Sequence, residues 1–390
     1  DLSISIISIC FLFIIFIKHE WKYVKNKFFV IFIIWTFYLI IRSVLSENPN
    51  LSLQSSLFYW RFGIFSLAVW YLLDNVKNFK RNFFFITLIV FLFMSLDGFI
   101  QFVTGFNLIG NTYYTIDGQR ISGLFGDEAI LGNFTSRILP VLIALFFSFS
   151  KNYKVYSFMS VLFIFLSGSL ILISGERTAF LYFSIFVFII FLLLTKYRVE
   201  KLLIILVSIV FLTILFTSNS SIKQRFFLNT IIETQISQGI TLQNIIPKTY
   251  EPIYLSSYKI FLDNPYFGIG TKMYRYSCSK EEYFVENGCS THPHNTYLQL
   301  LAETGIIGIM PVITIFTVLL FLYMKHLIIY LMNRKSLLKN EEIILMSSVF
   351  ISTFPFLPSL NFFHNWYSIL TFLPVGFLLH LISIKKSNKL

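Results

Sequence analysis

Runs of apolar residues, separated by short polar connections, follow one another along nearly the whole chain. Many of them approach the roughly 17–25 residues that an α-helix needs to cross the core of a bilayer. A β-barrel would instead show short segments of alternating hydrophobicity. The pattern therefore predicts an all-α fold, a polytopic bundle of transmembrane helices. We predict eleven spans, with the approximate bounds Ser3–Ile17, Phe28–Val44, Leu57–Leu73, Phe83–Phe102, Ala129–Phe149, Val155–Ser174, Thr178–Thr195, Leu202–Thr217, Gly305–Tyr323, Ile343–Phe356 and Trp366–Ile384.

The composition excludes a soluble globular protein. Of the 390 residues, 56% are hydrophobic and 48 are phenylalanine, which leaves too little polar surface for a soluble fold. The sequence begins at Asp1 rather than at a methionine. We therefore expect an N-terminal piece to precede it, with a twelfth span in the full chain.

The distribution of basic residues orients the predicted spans. Every second connection and the C-terminal tail are rich in lysine and arginine, an excess typical of cytoplasmic loops. This topology explains the formal net charge of +12, so no nucleic-acid partner is expected. The C-terminus then lies in the cytoplasm, and the alternate connections lie outside. The cytoplasmic set is Lys18, Lys22, Lys25, Lys27, Lys77, Lys80, Arg81, Lys151, Lys154, Lys196, Arg198, Lys201, Lys325, Arg334, Lys335, Lys339, Lys385, Lys386 and Lys389.

The spans and their connections divide the chain into three predicted regions. Residues 1–217 form an N-terminal bundle of eight spans, and residues 296–390 form a C-terminal group of three. Between them, residues 218–295 form one large outer loop with short helices. A loop of this length is too long to be a plain connector, and such loops are usually functional or disordered.

Two features of the outer loop carry structural predictions. The stretch EPIYLSSYKIFLDNP mixes apolar and polar residues at helical spacing. It predicts a short surface helix that ends at Asn264-Pro265, because the residue before a proline disfavours helical geometry. Cys278 and Cys289 can form a disulfide if the compartment is oxidising. The alternative is two unrelated thiols.

Two arginines on the outer side are candidates for binding an anion. Arg120 precedes the fifth predicted span. Arg177 follows Gly175 and Glu176 in a hairpin so tight that its charge must lie near the membrane surface, where a charge usually has a partner. A guanidinium group binds phosphate oxygens bidentately, which suits a diphosphate. The simpler alternatives are a solvated Arg120 paired with a carboxylate and an Arg177 that extends to the interface.

Three further arginines fall in the outer halves of predicted spans, namely Arg42, Arg61 and Arg137. Together with the two above, they could line a basic cavity open to the outside. Asp97 argues against this, because its carboxylate could instead neutralise one of them.

The segment HPHNTYLQLLAETG, residues 292–305, places titratable groups at the entrance of a span. Asn295 is a candidate N-cap for the helix that follows, which would fix His294 where an imidazole suits a general base. The alternative is a histidine that only bonds a loop carbonyl. Glu303 can orient a histidine or bind a sugar hydroxyl. His292 and His294 lack an acid-rich partner set, so no metal site is expected, and no cofactor.

Several of these segments together resemble the signature of the O-antigen ligase and polymerase superfamily. They are RISGLFGDEAILGNF, SGERTAFL, DNPYFGIGTKMY, HPHNTYLQLLAETGIIG and NFFHNWYSIL. Each segment alone is weakly specific. Their order, spacing and outer-side placement agree, and the resemblance covers about Gly118 to Asn365.

The resemblance implies a twelve-span glycosyltransferase of the bacterial inner membrane with a large periplasmic loop and membrane lipids around it. Ligase members transfer a glycan from undecaprenyl diphosphate to the lipid A core, and polymerase members extend one lipid-linked repeat with another. The resemblance maps the key arginines onto Arg120 and Arg177 and the key histidine onto His294. With Arg120 and Arg177, the residues His292, Asn295 and Glu303 are the candidates for binding substrate.

We predict the ligase reaction, metal-independent and inverting, because the histidine segment is intact and lies late in a long outer loop. Arg120, Arg177 and His294 are then expected to meet in one outward cavity. The first alternative is the polymerase. A transporter of the lipid-linked glycan is the second, although it would place its charges near the bilayer midplane and often shows an inverted repeat. In a structural scaffold, Arg177 and His294 would be expendable.

Overall fold

The computed structural model describes residues 2–112, 120–149, 153–194, 220–234 and 246–387. Over these ranges the regular elements are helices and no strand is formed, so the predicted all-α class is confirmed. The α-helices are α1 Leu2–Lys18, α2 Lys27–Val44, α3 Pro49–Ser56, α4 Trp60–Asn75, α5 Phe79–Thr104, α6 Leu131–Phe149, α7 Tyr153–Ile173, α8 Arg177–Leu193, α9 Ser220–Lys223, α10 Asn229–Thr234, α11 Glu251–Asp263, α12 Tyr274–Ser277, α13 Thr296–Asn333, α14 Asn340–Ser352 and α15 Asn365–Ser387. Short 3₁₀ turns lie at Trp21–Tyr23 and Gly123–Phe125, and a π-helical turn lies at Gln224–Leu228.

Local sequence explains several helix ends. The Asn26 side chain accepts a hydrogen bond from the Phe29 N–H (2.9 Å) and caps α2. Asn48 caps α3 in the same way, with proline as the first helical residue, where its missing N–H does no harm. Gly105 ends α5 in the left-handed region that glycine adopts without strain.

The described helices are those of a multi-pass membrane protein. Six are long and apolar enough to cross a bilayer, namely Lys27–Val44, Pro49–Asn75, Phe79–Thr104, Leu131–Ser148, Thr296–Asn333 and Asn365–Ser387. Leu2–Lys18, Phe158–Ile173 and Arg177–Leu193 are apolar but shorter. The predicted span Leu202–Thr217 lies outside the described residues, and the total of eleven stays a prediction.

The chain separates into two compact units. Unit one comprises the described residues of Asp1–Val76, Glu233–Leu320 and Thr353–Leu390. Unit two comprises those of Lys77–Ile232 and Phe321–Ser352. Unit one therefore draws on the beginning, middle and end of the chain, and it contains His292, His294 and most of the described outer segment. Arg120 and Arg177 belong to unit two.

In unit one, α4 packs against α1 and α15. A Cβ atom on Gly376 of α15 would lie only 2.6 Å from the Ser66 carbonyl oxygen, so a larger residue would push the helices apart. The Ser66 hydroxyl donates across the same contact to the Phe372 carbonyl (2.7 Å). Small residues and interhelical hydrogen bonds of this kind hold helices together where lipid replaces water.

In unit two, α6 is the central helix, with α5, α7, α8 and α14 packed on it. The burial of each helix follows from its position. In the apolar stretch of α6, 83% of residues are buried inside the protein, against 33% in that of α5. Apolar residues on the outside of α5, such as Phe93 and Val103, are exposed and suit contact with lipid.

The outer segment of unit one folds around a small core of its own. The predicted surface helix is confirmed as α11, which ends at Asp263 just before Asn264-Pro265. Its Ile253 and Ile260 are buried against Tyr274, whose hydroxyl donates to the Ile253 carbonyl (3.1 Å). Of the two alternatives that the sequence left open for Cys278 and Cys289, the structure shows the disulfide, with Cα atoms 5.3 Å apart.

Candidate active site

The helix that follows the two histidines is broken near its N-terminal end. Gly305 of α13 has φ 63° and ψ −171°, so the helical turn from Thr296 stops there and a second helical stretch begins at Ile306. The sequence predicted a helix after Asn295 and a span from Gly305, but it did not predict the break between them. A break in a helix leaves N–H and C=O groups without intrahelical partners.

The segment Pro265–Gly270 supplies those partners. On one side of the break, Ile269 and Gly270 donate N–H groups to two carbonyls of α13, and on the other side α13 donates two N–H groups back. The four hydrogen bonds are Ile269 N–H to Ala302 O (3.0 Å), Gly270 N–H to Glu303 O (2.8 Å), Ile306 N–H to Pro265 O (2.8 Å) and Ile307 N–H to Tyr266 O (3.2 Å). The segments DNPYFGIGT and HPHNTYLQLLAETGIIG are thus joined into one structure through their backbones.

Glycine is required at this junction for both space and backbone angle. A Cβ atom on Gly305 would lie 2.3 Å from the Tyr266 carbonyl carbon, and one on Gly268 would lie 2.4 Å from that of Glu303. Both glycines also have positive φ angles, 63° and 67°, which cost an L-residue roughly 1–2 kcal/mol. The junction therefore accepts no side chain at either position.

His294 lies at the N-terminus of α13, as predicted. Asn295 is confirmed as the N-cap, since its side-chain oxygen accepts from the N–H groups of Tyr297 (2.9 Å) and Leu298 (3.1 Å). The Asn295 amide donates in turn to the Pro355 carbonyl (2.9 Å), and the Ser359 N–H donates to the His294 carbonyl (2.7 Å). The backbone that carries the imidazole is therefore fixed from both sides.

The two histidine side chains lie against each other. Their ring centroids are 4.1 Å apart, and His294 also packs on Tyr250 at 5.5 Å. The His294 Nε2 atom pairs with the Ser290 hydroxyl (3.1 Å), and the His292 Nδ1 atom with that of Thr291 (3.0 Å). The buried Nε2 atom of His292 has no hydrogen-bond partner among the described residues.

Burial keeps both imidazoles neutral near pH 7. It lowers the pKa of His292 from 6.5 to about 3, and the nearby His294, Arg275 and His364 add to the effect. Burial also lowers the pKa of His294 below 6.5. A neutral imidazole has a free lone pair and can accept a proton, which a general base requires.

Glu303 is fully buried and turns toward the backbone rather than toward either histidine. Its carboxylate accepts hydrogen bonds from the Gln299 amide (3.1 Å) and from the Tyr274 N–H (3.2 Å). Gln299 also donates to Asn361 (2.8 Å) and accepts from the Phe362 N–H (2.9 Å). This network ties α13 to α12 and to the segment that precedes α15.

A basic cavity of about 410 Å³ lies in unit one. Arg61, Lys272, Arg275 and His364 line it, with Asn361 at its wall. The charges of Arg275 and His364 also act on His292, so the cavity and the histidine pair belong to one neighbourhood. Of the arginines predicted to line a cavity, Arg61 does so within this unit.

In unit two, Arg120 packs against the turn between α7 and α8. Its Cγ atom lies 3.6 Å from the position that a Cβ atom on Gly175 would take, and its guanidinium donates to the Ala129 carbonyl (3.2 Å). The Nε atom is buried and has no hydrogen-bond partner in the described part of the chain.

Glu176 pairs with the start of α6 rather than with its neighbour Arg177. Its carboxylate accepts from the N–H groups of Gly132 and Asn133 (2.5 and 3.2 Å) and from the Asn133 amide (2.5 Å). A negative charge at a helix N-terminus is stabilised by the helix dipole. Burial raises the pKa of the Glu176 carboxyl, and the charge of Arg120 opposes that shift.

Arg177 is half-buried and donates to the Thr230 hydroxyl of α10 (3.2 Å). The neighbouring Arg225 donates to the Gly175 carbonyl (3.1 Å). Three arginines therefore surround the α7–α8 turn within unit two.

Two of the other arginines considered above have structural surroundings. Arg137 is fully buried, with its guanidinium carbon 4.6 Å from the centre of the Tyr182 ring. Arg42 donates to the carbonyls of Gly268 (2.7 Å) and Leu45 (3.0 Å). The Asp97 carboxylate, within unit two, accepts from the Leu108 N–H (2.8 Å).

Lys272, Arg275 and the Gln299–Asn361 pair were not predicted from the sequence. A signal for the first two was present. The positive-inside bias makes basic residues scarce in outer segments, so two of them within four residues, just after the segment DNPYFGIGT, call for an explanation. The amide pair left no such signal, because its contact joins parts of the chain 62 residues apart.

The fold and this site define a helical membrane protein in which a buried His292 packs on a half-buried His294, with basic side chains nearby. A family model described as O-antigen ligase matches residues 161–313. The match confirms the predicted resemblance to the O-antigen ligase superfamily, whose members are glycosyltransferase-like enzymes of lipopolysaccharide synthesis. The matched residues include Arg177, the segment DNPYFGIGT and both histidines. A search of curated proteins finds no match to the chain.

Proposed function

We propose that the protein is an O-antigen ligase-type glycosyltransferase, which moves a glycan from undecaprenyl diphosphate to the lipid A core. The observation that carries this proposal is the junction at Gly305. There the two signature segments are bonded together, and they hold a neutral His294 beside a basic cavity. A scaffold protein would have no need of two adjacent imidazoles with no carboxylate beside them among the described residues, because removing them from water costs free energy.

The chemistry required by such a donor matches the groups present. The anomeric carbon of the donor glycan already carries a diphosphate, which is a good leaving group. Catalysis therefore needs positive charge on the departing phosphates and a base for the acceptor hydroxyl. Preorganised charges placed where negative charge develops are commonly the largest contribution to rate.

We assign the roles accordingly. The guanidinium groups of Arg120 and Arg177 stabilise the departing diphosphate, and His294 removes the proton of the acceptor hydroxyl. The hydroxyl oxygen bonds to the anomeric carbon as the carbon–phosphate oxygen bond breaks, so the configuration inverts. His292 and Asn295 position His294, and Glu303 holds the backbone beneath it.

The location of the site on the periplasmic side of the inner membrane is part of the proposal. The alternation of basic connections supports a position of the segment with Cys278 and Cys289 outside the cytoplasm. The disulfide between them supports an oxidising compartment.

The proposal is tested by transfer in a reconstituted system. The full chain in nanodiscs is mixed with a lipid-diphosphate glycan and with lipid A core, and the product is identified by mass spectrometry. We expect the wild-type protein to transfer the glycan with inversion of its anomeric configuration. The rate of transfer should fall roughly 10²–10⁴-fold in His294→Ala and 10²–10³-fold in Arg177→Gln. The exposed His19→Asn serves as the control.

Two outcomes would redirect the assignment. Extension of a second lipid-linked glycan, with no transfer to lipid A core, would identify the polymerase reaction. Wild-type rates in both His294→Ala and Arg177→Gln, with the fold retained, would refute the roles assigned to these residues.

A further inference from the structure

The basic cavity of unit one has no function in the roles assigned above. Arg61, Lys272, Arg275 and His364 contribute cationic or potentially cationic groups to its wall. The other lining residues are amides, hydroxyls and aromatic rings, and none of the lining residues is acidic. A wall of this composition attracts anions and repels cations.

Arg275 is the least satisfied of these groups. Its Nε atom is buried without a hydrogen-bond partner, and no described residue accepts a hydrogen bond from its guanidinium. The nearby carboxylate of Glu303 is already engaged by Gln299 and the Tyr274 N–H. The Arg275 side chain is half-buried, and a buried N–H group without an acceptor is unfavourable, so an external acceptor would stabilise it.

Lys272 is held beside Arg275 under strain. Its φ angle is 63°, in the left-handed region that non-glycine residues rarely occupy. The Lys272 ammonium donates to the Gln54 side chain (2.5 Å), and both burial and the charge of Arg275 lower its pKa below 10.5. Two positive charges are thus kept close together against their mutual repulsion. Strained backbone of this kind concentrates at ligand sites.

We infer that this cavity binds a phosphate or carboxylate group of a glycan substrate, with Arg275 and Lys272 as its main contacts. The guanidinium of Arg275 would donate hydrogen bonds to two oxygens of the anion. The ammonium of Lys272 would donate to an oxygen of the same group. The amide of Asn361 would donate a further hydrogen bond. That the bearer of the anion is a glycan rests on the proposed function, whereas anion binding itself does not.

Direct binding tests the anion site without any transfer reaction. The full chain in nanodiscs is titrated with inorganic pyrophosphate at low salt by calorimetry. Arg275→Gln and Lys272→Gln are each expected to weaken binding roughly tenfold to hundredfold, because each removes a charge-assisted hydrogen bond. Lys259→Gln is the matched control, since this lysine of the same outer segment donates a hydrogen bond to the Phe284 carbonyl and does not line the cavity.

Folding is monitored in every variant by its melting temperature. Wild-type affinity in a folded Arg275→Gln variant, or equal weakening in Lys259→Gln, would overturn the proposal. If the wild-type protein binds pyrophosphate but transfers no glycan, the proposed function is refuted and the anion site is not.

Competition identifies the source of the anion. Displacement of pyrophosphate by the lipid-diphosphate donor alone would place the donor phosphates in this cavity. If a phosphorylated or carboxylated acceptor glycan displaces pyrophosphate, and its neutral counterpart does so only weakly, the acceptor binds in this cavity. Displacement by neither molecule would refute the assignment to a glycan substrate.

Discussion

The imidazoles of His292 and His294 pack against each other with ring centroids 4.1 Å apart, and neither contacts a carboxylate among the described residues. Two adjacent imidazoles in a buried site cannot both be protonated without strong repulsion. Burial and proximity therefore act in the same direction and favour the neutral forms. This relationship determines how both the activity and the stability should respond to pH.

Transfer should persist at mildly acidic pH. Because burial lowers the pKa of His294 below 6.5, a larger fraction of this imidazole than of a free one is neutral at mildly acidic pH and can accept a proton. We expect the acid limb of kcat/KM against pH to lie below 6.5. The measurement is transfer from pH 5 to 8.5 with wild-type protein, and an acid limb at or above pH 6.5 would contradict a buried His294 as the base.

Stability should fall with acid, and His292 should account for much of the loss. Its pKa is about 3 in the folded protein against 6.5 when unfolded, so the unfolded chain binds more protons between these values. The stabilisation present above pH 6.5 is lost as pH falls, by roughly 2 kcal/mol at pH 5. The melting temperature at pH 7.5 and pH 5 measures this.

His292→Asn should flatten that dependence on pH. The control is His19→Asn, at an exposed histidine with φ 52°, a backbone angle that asparagine tolerates. If the melting temperature changes equally between pH 7.5 and pH 5 in wild type and in His292→Asn, the burial of a neutral imidazole is contradicted.

The sequence predicted those features whose signals are local. The apolar runs predicted the membrane helices, Asn264-Pro265 predicted the end of α11, and Asn295 predicted a cap. The break at Gly305 was missed because it depends on hydrogen bonds from Pro265–Gly270, about forty residues away along the chain. Hydropathy averages over such a break, since one glycine hardly changes the mean of a twenty-residue window.

The same distinction applies to the candidate site. The sequence identified Arg120, Arg177 and His294 because they are charged or titratable residues at the ends of apolar runs. Glu176 is the carboxylate next to Arg177 in the chain, and the sequence shows only such neighbours. In the structure its carboxylate instead caps α6, more than forty residues earlier. Arg275 had a local signal as a basic residue in an outer segment, but only the fold shows that it lines the same cavity as Arg61 and His364.

The junction at Gly305 should tolerate no side chain. Gly305→Ala combines a positive φ angle with a Cβ atom 2.3 Å from the Tyr266 carbonyl carbon. Gly110→Ala is a control for the angle alone, because Gly110 has φ 91° and no atom within 4 Å of its Cβ position. We expect Gly110→Ala to lower the free energy of unfolding by roughly 1–2 kcal/mol, and Gly305→Ala to lower it by distinctly more. Equal changes in melting temperature would show that the close contact at Gly305 relaxes freely.

Glu176 should matter for stability, whereas Arg177 should matter for transfer. Glu176→Gln replaces one carboxylate oxygen by an amide nitrogen that cannot accept from Gly132 or Asn133, so a buried N–H group loses its partner. We expect a loss of roughly 1–3 kcal/mol, seen as a lower melting temperature, with transfer reduced only in proportion to unfolding. Arg177→Gln should show the reverse, a near-normal melting temperature and a large loss of kcat. Glu128→Gln is the matched control, because Glu128 is an exposed carboxylate just before the same helix. A Glu176→Gln variant with wild-type stability would show that the carboxylate does not hold α6 against the α7–α8 turn.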